Sequence, residues 1–235
     1  MRLLSCLLLT GTMAFAANLS AAEPEFNTLT ADEAKAGWTL LFDGKTLEHW
    51  RGYKKTEVPD GWKAEDGTIA RPKGGGDLVT RDEYQDFDLK LEWKISPGGN
   101  SGVMFHVAET HSAPYETGPE MQVLDDAKHP DGHNPKTSAG AAYALIACSK
   151  VVVRPQGEWN EAELIVTGNH VEHWLNGTKV VEYELHSPAW QALVDASKFK
   201  SMPDYGMAAT GRICLQDHGN EVWFRNVKIR VPEKK

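Results

Sequence analysis

The strongest constraint on the fold of this chain is a series of short segments in which apolar and polar residues alternate. The clearest runs from Phe87 to Ile95, FDLKLEWKI, where every second residue is apolar. Two further segments, Val171 to Leu175 and Lys179 to Leu185, flank Asn176-Gly177, a dipeptide typical of two-residue β-hairpin turns. Such alternation is typical of strands with one buried face, so the sequence predicts mostly antiparallel β-structure.

Helical signals are few. Thr30 to Glu33 forms a capping-box pattern, and Ser187-Pro188 opens a second short helix. We expect both helices to cover sheet edges and to carry no chemistry. Many strands with frequent turns and short helices favour a two-sheet antiparallel sandwich.

The first residues have the pattern of a secretory signal peptide. Arg2 precedes an apolar run from Leu3 to Ala16, and the small residues Ser20 to Ala22 follow it. The sequence therefore predicts a signal peptide over residues 1–22, one domain over 23–235, and a periplasmic or secreted protein.

The composition limits the partners. The net charge of −8 becomes −9 once Arg2 is removed with the signal peptide. Nucleic acid and anionic membranes favour basic surfaces, so neither is an expected partner. The cysteines left in the mature chain, Cys148 and Cys214, could pair in an oxidising compartment, but both lie in apolar runs, which favours buried thiols. No spacing of cysteine and histidine resembles a structural zinc site.

Three predicted strands carry polar residues opposite an apolar face. In NSGVMFHV, alternation places Val103, Phe105 and Val107 on one face and Gly102, Met104 and His106 on the other. In EMQVLD, Glu120 and Gln122 point together away from the core, whereas Asp125 has core parity unless a bulge or the strand end re-aims it. In ICLQDHGNE, Gln216 faces outward, and Asp217 and His218 stand at the strand end.

Polar residues on the outer face of a sheet are ordinary, and each of these side chains alone could be solvated surface. The residue types nevertheless favour a site, because planar groups such as carboxylates, amides and imidazoles are suited to fixing sugar hydroxyls. Aromatic residues could supply a surface for stacking a sugar ring, although most are expected in the core; they are Trp50, Tyr53, Trp62, Tyr115 and Tyr143.

Six separated motifs, in this order, carry a resemblance to a known family. They are LLFDGKTLEHW, NSGVMFHV, EMQVLDD, TSAGAAY, EWNEAELIVTGNHVEHWLNG and ICLQDHGNEVWFRNVKI. Together, from about Gly37 to Val231, they resemble the 3-keto-disaccharide hydrolase domain family of secreted bacterial proteins. The resemblance implies a concanavalin A-like jelly-roll sandwich and action on glycosides that already carry a ketone at C3. The partner would then be a carbohydrate substrate.

A C3 ketone acidifies the hydrogen on C2, so a base can start elimination of the group at C1, and water can then add. Glu120 is the candidate base, and His218 is the candidate to polarise the ketone or to protonate the leaving oxygen. The candidate substrate-binding residues are Asn100, Gln122, Gln216, His106 and Tyr143. The sequence establishes no cofactor, and a divalent metal ion is one candidate because such ions stabilise enediolates. The candidate ligands are Glu120, His106, Asp125 and His218.

Two other functions remain open at this point. A retaining glycosidase of the laminarinase type would use two carboxylates about 5–5.5 Å apart, here Glu120 and Asp125. Gln122 stands where such enzymes carry a middle acid, which weakens that reading. A non-catalytic carbohydrate-binding module would bind sugar without turnover, and the grouping of Glu120 with Asp217 and His218 speaks against it.

Overall fold

A computed structural model describes residues 26–232, which fold into two antiparallel sheets packed face to face. The predicted signal peptide falls outside the described residues and stays a prediction. The strands are β1 (Trp38–Leu40), β2 (Trp50–Gly52), β3 (Lys63–Glu65), β4 (Thr68–Arg71), β5 (Leu78–Thr80), β6 (Phe87–Ile95), β7 (Asn100–Val107), β8 (Glu120–Leu124), β9 (Asn160–Thr167), β10 (His170–Leu175), β11 (Thr178–Glu184), β12 (Arg212–Leu215) and β13 (Val222–Arg230).

The helices are short, and all but the first lie between strands. They are α1 (Ala31–Lys35), α2 (Pro188–Asp195) and three single turns of 3₁₀-helix at Pro114–Glu116, Pro130–His133 and Lys198–Ser201. The predicted capping box is formed, with the Thr30 side chain accepting from the Glu33 amide. Among the described residues, none of the helices has the length and apolar character needed to cross a membrane.

The larger sheet has eight strands in the order β11-β10-β9-β6-β13-β4-β3, with β1 also paired to β13. Its central strand β6 buries the apolar residues of FDLKLEWKI and leaves most of the polar ones half-exposed, as alternation requires. The hairpin between β10 and β11 turns at Asn176 and Gly177, whose φ angles of 48° and 74° are left-handed. The predicted hairpin is therefore confirmed, because a type I′ turn needs that conformation at both positions.

The smaller sheet has five strands in the order β2-β5-β12-β7-β8. The three polar strands of the sequence, β7, β8 and β12, are therefore neighbours in one sheet, and the predicted two-sheet sandwich is confirmed. The core between the sheets contains apolar residues from both, such as Leu91 and Trp93 of β6 and Val103 and Phe105 of β7. Cys148 and Cys214 are free thiols in this structure, and Cys214 is buried whereas Cys148 is half-buried.

One register shift in the smaller sheet changes the faces predicted for β7. Arg212 pairs with Val107 but Cys214 pairs with Met104, so Ile213 faces two residues of β7. This is a β-bulge, and His106 adopts a left-handed φ of 49° there. Beyond the bulge the alternation is inverted, so Val107 joins Met104 and Cys214 in a small cluster on the outer face. The predicted faces of His106 and Val107 were therefore wrong.

Candidate active site

A cavity of about 190 Å³ opens on the outer face of the smaller sheet, where β8, β7 and the end of β12 lie side by side. Residues from at least six separate parts of the chain line it, namely Asp77, Asn100, Tyr115, Glu120, Tyr143, Lys198, Phe199, Gln216, Asp217 and His218. Five of the seven catalytic and binding residues predicted from the sequence are among them. We name this space the β8 cavity.

Glu120 occupies the floor of the β8 cavity. Its side chain lies over the α-carbon of Gly102 on the neighbouring strand, where a Cβ atom would come within 2.1 Å of Glu120 Oε1. The residue is only 5% exposed, and among residues 26–232 no group forms a hydrogen bond with its carboxyl. Burial raises the pKa of this carboxyl to about 8, although the Lys198 ammonium acts in the opposite direction. The Glu120 carboxyl is thus an unpaired group at the floor of the cavity, and its ionised form can accept a proton.

Two amide side chains with unsatisfied hydrogen-bonding capacity also line the β8 cavity. The buried side-chain oxygens of Asn100 and Gln216 have no hydrogen-bond partner within the described chain. Buried amide atoms are normally paired, so these are suited to a ligand that brings hydroxyl groups. Gln122 lies next to them on β8, but it does not line the cavity, and its side-chain nitrogen donates to the Thr137 carbonyl at 3.2 Å. Its oxygen is likewise unpartnered.

At the strand end, Asp217 and His218 both line the β8 cavity, but Asp217 is bound to neighbouring groups of the protein. Asp217 forms an ion pair with buried Arg71 and accepts the amides of Gly75 and Gly76, both at 2.8 Å. Burial alone would raise the pKa of Asp217, but these backbone donors and the guanidinium lower it. The carboxylate therefore fastens a glycine-rich loop to the cavity rim.

His218 follows on the exposed side and turns its ring toward the cavity, 6.4 Å from the ring centroid of His129. Partial burial of the ring and the neighbouring imidazole lower the pKa of His218. His218 is therefore a neutral imidazole at pH 7, able to donate one N–H and accept at the other nitrogen.

The wall opposite β12 comes from the loop that contains TSAGAAY. Its backbone runs along the free edge of β8, where the Tyr143 amide donates to the Glu120 carbonyl at 3.0 Å. This pairing fixes Tyr143 beside Glu120, and its hydroxyl donates to the Asp131 carboxylate at 3.1 Å. The ring lines the β8 cavity, and the Lys198 ammonium lies over it at 4.3 Å from the centroid.

Sequence reasoning did not identify the 3₁₀ turn Lys198–Ser201 as part of the site. Phe199 is buried and stacks on Tyr205 with ring centroids 3.9 Å apart, and Tyr205 stacks on Trp190 of α2. These contacts hold the turn against the sheet and place Lys198 at the cavity wall. Asp77 was missed as well. It accepts the Asp217 amide at 2.9 Å, and burial raises its pKa to about 6.

Two residues predicted for the site lie elsewhere. His106 is turned by the bulge to the core side, where its ring contacts Phe87 and Phe105 and its Nε2 lies 2.7 Å from the Gln85 carbonyl. Asp125 follows the end of β8, and its carboxylate accepts the amides of Gly98 at 2.7 Å and Ala127 at 3.1 Å. It fixes a turn and lines a different cavity of about 370 Å³ beside Trp93.

The four candidate metal ligands therefore do not form one site, since His106 and Asp125 are both committed away from the β8 cavity. Within residues 26–232, the group of three or more potential ligand atoms close enough to share an ion is His170, Glu172 and Glu182 on the outer face of the larger sheet. Lys179 already bridges those two glutamates, at 3.0 Å and 2.7 Å. The residues of the β8 cavity do not fit the predicted metal site.

Comparison with known proteins places this geometry in a family. The sequence model of the 3-keto-alpha-glucoside-1,2-lyase-like domain matches residues 37–230. A Bacteroides thetaiotaomicron protein named 3-keto-disaccharide hydrolase is 35% identical, over 93% of this chain and 86% of its own length. A crystal structure of a proposed glycosyl hydrolase from Parabacteroides distasonis is 38% identical with a TM-score of 0.84, covering 89% of this chain and all of that one. A second from the same organism is 31% identical with a TM-score of 0.65, covering 83% and 99%. The resemblance seen in the sequence is thus confirmed, and the chain belongs to the 3-keto-alpha-glucoside-1,2-lyase-like domain family.

Proposed function

We propose that this protein is a glycosidic-bond-cleaving enzyme that acts on 3-keto-glycosides by removing the C2 proton and eliminating the group at C1. Family membership and the relative named 3-keto-disaccharide hydrolase support action on a glycosidic bond. The observation that carries the mechanism is Glu120, a buried carboxyl without a hydrogen-bond partner in the described chain, which reaches a polar cavity.

The proposed chemistry begins at the ketone. Glu120 takes the proton from C2, and the electron pair of that bond moves onto the C3 oxygen to give an enolate. When the pair returns, the C1–O bond breaks, a double bond forms between C1 and C2, and the leaving oxygen takes a proton from water. Water then adds across the double bond, with hydroxide at C1 and a proton at C2, to release a free 3-keto sugar.

The environment of Glu120 suits the role of base. A carboxylate with a pKa of about 8 holds a proton more strongly than an ordinary glutamate, which increases its reactivity toward a carbon acid. The neutral imidazole of His218 would donate a hydrogen bond to the C3 oxygen and polarise the ketone. The amides of Asn100 and Gln216 would hold sugar hydroxyls, and the side chain of Tyr143, which lines the same cavity, would contact the sugar ring.

Glu120 and Asp125, the carboxylate pair considered for an ordinary glycosidase, do not face the same cavity. Both oxygens of Asp125 are engaged by backbone amides at a turn, and the residue lines a cavity other than that of Glu120. An ordinary retaining mechanism built on Glu120 and Asp125 would need a second carboxyl facing the same glycosidic bond.

One experiment tests the proposal directly. The purified protein is incubated with a 3-keto-glucoside and, separately, with the unoxidised glucoside, each with and without a chelator. We expect release of the aglycone from the keto form alone and with the chelator present. Release from the parent would show a glycosidase, binding without release would show a carbohydrate-binding module, and loss of activity with the chelator would show a metal-dependent reaction.

A further inference from the structure

The proposed elimination places a full negative charge on the substrate, and the cavity must contain something that stabilises it. When Glu120 takes the C2 proton, the electron pair rests on the C3 oxygen until the C1–O bond breaks. Enzymes that form enolates usually direct a cation or several donors at that oxygen. His218 is neutral at pH 7, because burial and the nearby ring of His129 lower its pKa. It supplies a hydrogen bond and no charge.

Lys198 differs from the other cationic side chains around the β8 cavity. Arg71 lies behind the rim and is committed to Asp217 and to the Asn220 carbonyl. The Lys198 ammonium forms no ion pair with a carboxylate of residues 26–232, and it lies over the rings of Tyr143 and Phe199, at 4.3 Å and 5.2 Å from their centroids. It is an unneutralised cation held at the wall of a cavity whose floor is a carboxyl group.

We propose that Lys198 is a catalytic residue whose ammonium stabilises the negative charge that develops on the C3 oxygen of the substrate. The inference rests on the proposed function, because it assigns a role in the same reaction. The ammonium keeps its proton throughout, and the C2 proton remains on Glu120 until elimination is complete. The stacked rings of Phe199, Tyr205 and Trp190 fix the turn that carries Lys198, so the charge is in place before substrate binds.

Several other groups act on Glu120, and the effect of Lys198 has to be separated from theirs. The titratable side chains that line the cavity with it or act on it through space are Asp77, Tyr115, Asp131, Tyr143, Tyr205, Cys214, Asp217 and His218. Asp77 and Asp131 raise the pKa of Glu120 as burial does, whereas Lys198 lowers it. Removing the ammonium must therefore move the titration of Glu120 to higher pH.

The chain offers a matched control, because Lys200 lies on the same 3₁₀ turn, is also exposed, and does not line the cavity. We expect Lys198→Met to lower kcat for a 3-keto-glucoside by about tenfold to a hundredfold. Its KM should change much less, and the rising limb of its pH–rate profile should move to higher pH. Lys198→Arg should retain most of the rate and the wild-type profile, and Lys200→Met should behave as wild type.

A second measurement does not depend on turnover. The side-chain carboxyl of Glu120, followed by NMR in protein labelled at glutamate, should titrate at higher pH in Lys198→Met and at the wild-type pH in Lys200→Met. An unchanged titration together with an unchanged rate in Lys198→Met would overturn the assignment of Lys198. If Glu120→Gln were also fully active, the proposed function itself would have failed, whereas an inactive Glu120→Gln beside a fully active Lys198→Met would overturn the Lys198 role alone.

Discussion

The molecule contains two groups of acid, imidazole and lysine that have opposite character. On the outer face of the larger sheet, His170 lies 2.6 Å from Glu184 and 3.3 Å from Glu172, and Lys179 lies 3.0 Å from Glu172. In the β8 cavity, Glu120, His218 and Lys198 face one space without pairing to one another. The same residue types thus form a closed salt-bridge network in one place and an open set in the other.

Their titration reflects this difference. The hydrogen bond to Glu184 raises the pKa of His170, and although burial opposes it, the bonds from Trp174, Lys179 and His170 lower the pKa of Glu172. Burial raises the pKa of Glu120 and lowers that of His218. Pairing favours the charged forms on the outer face, whereas burial without pairing favours the neutral forms in the cavity. The groups suited to gaining or losing protons are therefore those of the cavity. The salt-bridge network on the larger sheet contains the same residue types, so substitutions there are matched controls for substitutions in the cavity.

The largest expected contrast is in the acids. We expect Glu120→Gln to lower turnover of a 3-keto-glycoside by about a hundredfold or more, since it removes a positioned base while keeping the shape. Glu172→Gln should leave the rate unchanged. Steady-state kinetics of the two variants check this, and equal rates for Glu120→Gln and wild type would assign the chemistry to another group.

The imidazoles should show the next contrast. His218→Ala should lower kcat by about tenfold to a hundredfold, because the ketone loses a donor but keeps the base. His170→Ala should alter only the surface network. A variant His218→Ala that matched the kinetics of His170→Ala would remove His218 from the mechanism.

The third contrast is in pH dependence. A base must be ionised, so kcat/KM should rise about tenfold per pH unit below the pKa of Glu120 and level off above about 8. Protonation of His170 on the outer face should not change kcat/KM, so it should add no pH-dependent region to the profile. A rate that was flat from about pH 6 to pH 9 would contradict the role of Glu120 as base.

The smallest effect concerns stability. The pKa of Glu120 is about 8 in the folded protein and near its ordinary value of 4.5 in the unfolded chain, so a stabilisation that is fully present below pH 4.5 is progressively lost as the pH rises from 4.5 through about 8. At pH 7 the wild type has therefore lost part of this stabilisation, whereas a glutamine at position 120 is neutral at every pH and loses none. Glu120→Gln should raise the free energy of unfolding by roughly 1–3 kcal/mol. Denaturant titration at about pH 5 and at neutral pH checks this, and a gain that did not grow with pH would contradict it.

Much of this architecture could be predicted from the sequence. Alternation in β6 and the Asn176-Gly177 turn are local signals, and they sufficed to predict a two-sheet sandwich. Parity on β8 and the strand end after β12 also placed Glu120 and His218 on the cavity side. Such inferences succeed because side chains alternate between the two faces of a strand, so the direction of one side chain predicts that of its neighbours.

The remainder depends on tertiary structure. His106 was misplaced because one bulge inverts parity, and nothing in NSGVMFHV marks it. Lys198 and Asp77 come from loops far from β8 in the sequence, and only folding brings them to the cavity. The protonation of Glu120 was equally hidden, because it follows from 5% exposure and from the missing hydrogen-bond partner, neither of which a residue type reveals.

The contact between Glu120 and Gly102 has a stereochemical consequence. Because the carboxyl rests on the α-carbon of the next strand, a substrate can meet it only from the open side, and the base sees one face of the sugar ring. If the same carboxyl returns a proton to C2 during hydration, that proton must arrive on the same face of the sugar ring from which the first one was removed. The 3-keto sugar formed in deuterated water should then carry a single deuterium at C2 with one configuration, readable by NMR. The configuration at C2 of the product would then depend on Gly102. Because glycine has no side chain, its α-carbon can lie against the Glu120 carboxyl and block that side.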